Sequence, residues 1–246
     1  MGRHPKTEVL LVVLSISLVF GLAAYGGYQD FLKDAAKALE GGQGLSEAEI
    51  AKGLKEALQI GTGNAVAVVS KVDGYYKNPD LKILLPESIR KVEGVLRATG
   101  FGGEVDQFEL SMNRAAERAA PEAKAIFVDS IRQMTFSDAR RILNGPDNAA
   151  TMYFKEKTGQ QLAATFKPIV HQAMSEVGVT RSYQQLTDKL QALPFGQSHG
   201  LDLDQYVTDG GLNGLFRMLA EEEKKIRQDP AARVTDLLQK VFGKAN

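Results

Sequence analysis

The sequence contains no cysteine. That absence excludes disulfides, thiolate zinc sites and cysteine nucleophiles. It also excludes the acylated cysteine of a lipoprotein anchor. Histidine is scarce, with only His4, His171 and His199. Net charge is missing as well: 30 Lys and Arg balance 30 Asp and Glu over 246 residues. A neutral chain has no electrostatic footprint for nucleic acid and no polybasic patch for anionic lipid. The Gly-x-Ser-x-Gly elbow, the His-Glu-x-x-His zinc motif and the Gly-x-x-x-x-Gly-Lys-Ser/Thr phosphate loop are all absent. Alternating Val/Ile/Thr segments of strand type are nearly absent too.

What is present begins at the N-terminus. Arg3 and Lys6 form a basic tip, followed by an uncharged, mostly apolar run from Val9 to Ala24 that breaks at Tyr25-Gly26-Gly27. Basic, apolar and small, in that order, is the layout of a secretory signal. The run is shorter than the about 20 residues that a membrane span needs. An uncleaved anchor formed by residues 9–24 is the alternative. The expectation is therefore export through the Sec route to the periplasm, or inner-membrane anchoring by residues 9–24. Residues 1–26 are the signal or anchor, 27–45 a linker with a short helix, and 46–246 a helical domain. Without a disulfide, the fold must be held by its own core. A chain of this length can bury roughly 70% of its unfolded surface.

The remainder reads as helix after helix. Gln29–Leu39 is the first, ended by Gly41-Gly42-Gln43-Gly44. Ser46 and Glu49 have capping-box spacing ahead of Ile50, Leu54, Ala57 and Leu58. Gly61-Thr62-Gly63 is expected to interrupt that helix before Asn64–Val72. Asp73–Leu85 is irregular, with turn signals at Asp73-Gly74, Asn78-Pro79 and Leu85-Pro86. Pro86 suits the first turn of a helix reaching about Thr99. Val105–Ala119 and a Pro121 helix with Ile126, Phe127, Ile131 and Met134 follow. Thr135 and Asp138 repeat the capping-box spacing before Ala139–Leu143, with Gly145 just beyond. Asp147 is placed to cap Asn148–Lys157. Gln160–Val177 contains Pro168, which predicts a kink or break at Phe166–Lys167. Arg181–Leu193, Leu203–Gln228 and Ala231–Phe242 complete the set. The fold class is all-α, an irregular array of about nine or ten helices in one compact domain after the N-terminal segment.

Several strings are distinctive: AKGLKEAL (51–58), DGYYKNPDLKILLPES (73–88), SMNRAAERAAPEAK (111–124), MTFSDARRILNG (134–145), AATMYFKEKT (149–158), KPIV (167–170) and the long block from Leu203 to Gly243. In this order the chain resembles a bacterial family of exported helical proteins, the domain of unknown function 4197. The resemblance spans about Gly44 to Gly243. It implies export and an all-helical fold, and it supplies no reaction and no catalytic residues.

The candidate binding residues are Asn113, Arg114, Glu117, Tyr75 and Tyr153. Asn113 and Glu117 share a helix face beside Met112, Ala115 and Ala116. One reading is a polar pocket in which Arg114 grips an anion and Glu117 tunes it. The other is a structural salt bridge tying elements together. Tyr75, Tyr76 and Asn78 lie in the irregular loop, where binding residues often sit; tyrosines also cover cores with their hydroxyls in water. Glu221, Glu222 and Glu223 with Arg227 read as a solvated helix face. Asp202 reads as a helix cap, since the calcium-loop spacing fails at Val207 and Asn213. His171 and His199 could share a metal only if the fold joined them. No cofactor or metal is expected. The expected partner is an envelope protein or an apolar or anionic small ligand, with no nucleic acid. Membrane contact is expected only through an uncleaved N-terminal segment. The leading function is a non-enzymatic binding module of the cell envelope. The rival is an envelope enzyme using Glu117, Arg114 and Asp138 or Tyr153.

Overall fold

Ser46 opens the first described helix by the reciprocal bonding its spacing predicts. Its backbone N–H donates to Glu49 Oε2 at 2.8 Å, and Glu49 N–H donates back to Ser46 Oγ at 3.3 Å. The computed structural model describes residues 46–176, 201–229 and the single positions 232, 233, 235, 239 and 241. The leader, the helix at 29–39, the helix at 181–193, His199 and most of the helix at 231–242 lie outside the described residues.

Helix α1 spans Glu47–Val69. The interruption expected at Gly61-Thr62-Gly63 does not occur. Thr62 Oγ1 donates back to Leu58 O at 2.7 Å, inside the helix. A Cβ on Gly61 would stand 3.4 Å from Ile226 Cδ1. Gly61 is thus where another helix crosses closely, and that packing outweighs the ~1 kcal/mol propensity cost of a helical glycine. Ser70–Pro86 then forms an irregular strap. Asp73 adopts a left-handed φ of 69°.

The helix expected from Pro86 to Thr99 is divided into α2, Glu87–Arg90, and α3, Glu93–Ala98. It buries only Ile89 and Leu96. The break falls at Lys91-Val92, where Val92, a poor helix former, leaves helical geometry between the two anchors. Gly100, with φ 91°, ends α3; Phe101 N–H reaches back to Leu96 O at 2.9 Å and Gly100 N–H to Arg97 O at 3.2 Å. That is the Schellman arrangement.

Helix α4 is Gly102–Ala119, joined by a 3-10 turn at Ala120–Glu122 to α5, Ala123–Gln133. Helix α6, Phe136–Leu143, starts at the Thr135–Asp138 box. Helix α7 is Ala149–Glu176, one helix where two were expected, and Pro168 lies inside it. Pro168 and Ala164, whose carbonyl the proline frees, are both exposed, so water can take the vacant bond. Leu162, Phe166, Val170 and Met174 bury the opposite face. Helix α8 is Leu203–Gln228, with Asp202 Oδ1 accepting from Gln205 N–H at 2.9 Å. Its bounds and its cap agree with the sequence.

Among the described residues there are seven α-helices longer than a single turn, the one-turn α2 and the 3-10 turn, rather than nine or ten helices. No strand occurs among those residues. The described residues belong to one compact unit, Ser46–Asn246. Helix α8 lies against α7, α1 and α4, and α4 lies against α7. Phe127 sits among them, edge-on to Phe154 at 5.1 Å and Phe216 at 6.3 Å.

Candidate functional site

The strap between α1 and α2 has no helix or strand of its own to satisfy its backbone. Helix α4 supplies the partners. Asn113 is fully buried; its Oδ1 accepts from Ile83 N–H at 2.8 Å and its Nδ2 donates to Ile83 O at 2.9 Å. One side-chain amide thereby stands in for a neighbouring strand. One turn on, Glu117 accepts from the N–H groups of Tyr75 at 3.0 Å and Tyr76 at 3.3 Å, and from Arg114 Nη1 at 2.6 Å. Arg114 Nη2 donates to Asp73, whose other oxygen is 2.8 Å from Lys77 Nζ.

These contacts set the local charges. Burial disfavours the Arg114 cation, but its bonds to Glu117 and Asp73 outweigh that and raise its pKa. Hydrogen bonds from Lys77 and Arg114 hold the Asp73 carboxyl below its ordinary value. The Tyr76 ring packs under Lys82 Nζ, 4.7 Å from the ring centroid. Tyr75 is fully buried and its hydroxyl donates to Gly211 O at 2.6 Å. Burial, with a lesser contribution from Glu117, pushes its pKa far above the normal tyrosine value. The expectation of a core-covering tyrosine with its hydroxyl in water does not hold for Tyr75.

A second buried carboxylate sits at the other end of α8. Glu223 is 7% exposed. It accepts from Ala150 N–H, Thr151 N–H and Thr151 Oγ1, each at 2.9 Å. It therefore caps the N-terminus of α7 from a different helix. Asp147, expected in that role, accepts instead from Gln228 Nε2 at 2.7 Å. Arg227 bonds Glu223 and also donates to Ile142 O at 2.7 Å, satisfying the end of α6. The solvated-face reading of this pair is thus corrected. Its local spacing is standard, and what buries it is the junction of three helix ends. Glu222, also buried, accepts from Asn64 Nδ2 at 3.1 Å on α1.

Beside that junction, an open groove of about 550 Å³ runs between α6 and α7. Met152 and Ala149 form its accessible apolar surface, with Ile142 and Tyr153 behind them. Met152 is 59% exposed, whereas Tyr153 is buried beneath, its hydroxyl 3.5 Å from Ser130 O. Arg141, Lys155 and Glu156 stand along the rim. Small-molecule sites usually span about 300–1,000 Å³ and are mostly apolar with a few polar groups. This groove fits that description. A hollow of about 220 Å³ between α1 and α6, edged by Phe136, falls below it.

Residues 44–243 match the family described as "Protein of unknown function (DUF4197)". The chain belongs to that family. No curated protein and no solved structure matches it.

The DUF4197 fold brings Asn113, Arg114, Glu117 and Tyr75 together, with their polar atoms bonded to the chain itself. It places Tyr153 elsewhere, in the groove surface. Asp138 is engaged at its own helix start by Thr135 and with Arg141 at 3.0 Å, apart from the Arg114–Glu117 cluster. Asn78 Oδ1 accepts from Asp80 N–H at 3.0 Å and shapes the strap's turn. His171 pairs with Asp204 across α7 and α8 at 2.7 Å. Among the described residues no group of three or more His, Asp or Glu is placed to hold a metal, and no helix is long and apolar enough to cross a membrane. The groove residues Met152 and Lys155 escaped sequence reasoning. A bare methionine beside a lysine on a helix gives no signal until the facing helix is in place.

Proposed function

We propose that this DUF4197 protein is a non-enzymatic binding module of the cell envelope, and that it works through the groove between α6 and α7. The observation that carries the reading is the groove itself: an open hollow of about 550 Å³ whose exposed apolar member, Met152, is a side chain that adapts to varied partners. The fate of the buried carboxylate Glu117 supports it. Glu117 accepts from the strap amides and from Arg114, so the carboxylate first considered for a reacting centre serves the fold. The apolar run from Val9 to Ala24 behind Arg3 and Lys6 supports the envelope location.

Native mass spectrometry of the full chain, purified from the envelope of its own cells, tests both halves. The expected result is a bound mass that Ala149→Trp, which fills the groove, removes. A bare chain in both proteins contradicts the binding role. Recovery only from the cytosol with Met1 intact contradicts the location.

A further inference from the structure

The rim of the α6–α7 groove carries a chemical preference. Arg141 comes from the α6 wall and Lys155 from the α7 wall, so the two cations approach the groove from different helices. Both are exposed. Arg141 bonds Asp138 in its own helix by an i,i+3 pair at 3.0 Å. Such an exposed pair is weak and leaves other guanidinium donors available. Lys155 has no ion-pair partner among the described residues. The acid on the rim, Glu156, is 3.5 Å from Lys157 Nζ, which does not line the groove. The same groove is lined by the accessible Met152 and Ala149.

Resting on the binding role proposed above, we infer that the groove takes a free single-chain fatty carboxylate. The acyl chain lies on Met152 and Ala149, above the buried Tyr153 and Ile142. The carboxylate sits between Arg141 and Lys155, where charge-assisted bonds hold it. An apolar tail uses the open floor, and an anionic head pairs with the two cations, which outnumber the single rim acid Glu156. A planar carboxylate also matches the fork of a guanidinium.

The test is a titration of the full chain with octanoate, decanoate and laurate, each below its micelle concentration, followed by the methyl resonance of Met152 and by calorimetry. Binding is expected to shift that methyl and to tighten by up to roughly fourfold per added CH2. Arg141→Gln and Lys155→Gln, with unchanged circular dichroism, are each expected to weaken laurate roughly two- to fivefold. Dodecyltrimethylammonium, of equal tail length and opposite charge, is expected to bind more weakly. Equal binding of that cation overturns the head-group assignment. Laurate binding that leaves the Met152 methyl unmoved overturns the site. No laurate binding, in a protein that still yields a bound mass sensitive to Ala149→Trp, overturns the ligand class and leaves the binding role intact. Loss of that mass as well removes both.

Discussion

The ring of Tyr75 lies directly against the backbone of Gly214. A Cβ on that glycine would overlap ring atom Cε1 and stand 3.2 Å from Cδ1. The neighbouring glycines repeat the closeness: a Cβ on Gly210 would be 3.1 Å from Ile83, and one on Gly211 would be 3.2 Å from Ala116 Cβ. Helix α8 has given up side chains along one stripe so that the strap and α4 can reach its backbone.

Gly214→Ala is therefore expected to destabilise the protein by about 1–3 kcal/mol, because overpacking exceeds the gain in helix propensity. Gly63→Ala and Gly159→Ala, where an added Cβ meets nothing within 4 Å, are expected to stabilise it by about 0.5–1 kcal/mol. Urea unfolding of the three variants checks the contrast.

Glu117→Gln replaces one acceptor oxygen with a donor, facing either Arg114 or the strap amides of Tyr75 and Tyr76. The expected loss is about 1–3 kcal/mol. Hydrogen exchange should show the strap amides of Tyr75 and Tyr76 opening well before the amides of α4. Equal protection in the variant would mean that the strap is held mainly by packing.

Glu223→Ala is expected to cost about 1–3 kcal/mol and to expose the amides of Ala150 and Thr151 to exchange. A solvated i,i+4 pair would cost only a few tenths of a kcal/mol. Equilibrium unfolding separates these magnitudes.

Tyr75 gives the alkaline limb of stability a definite sign. Its folded pKa is raised above the ordinary 10.0 by burial first and Glu117 second. Stability that depends on its neutral phenol is fully present below pH 10.0 and falls above it, as the unfolded chain ionises first, by up to about 1.4 kcal/mol per pH unit. Tyr75→Phe should flatten the fall in the urea midpoint between pH 10 and 11. It also loses the bond to Gly211 O, at a cost of about 0.5–1.5 kcal/mol at pH 7.

Local chemistry carried much of the fold into the sequence. The caps at Ser46, Thr135 and Asp202 are written in residues three apart, and each is made as its spacing implies. What was not legible depends on contacts distant along the chain. Gly61 looks like a break because Ile226, which needs its missing side chain, lies on the last described helix. Glu223 looks like half of a surface pair because Ala150 and Thr151 are far away in sequence. A signal existed there: α7 begins with no acid in its own first turn, which leaves its amides to be capped from elsewhere. Of the candidate site, the cluster of Asn113, Arg114 and Glu117 was legible as a polar face, and its partners on the strap were not. The groove was not legible, since neither wall is complete without the other.

The most direct measurement is photo-cross-linking in growing cells, with a photoreactive residue placed at Met152 in the full chain and, separately, at Ala164 on an exposed part of the same helix. The account predicts a single adduct of defined mass at position 152, lost on adding Ala149→Trp, and none at 164. Equal labelling at both positions, or an adduct at 152 that persists in the filled groove, would contradict it.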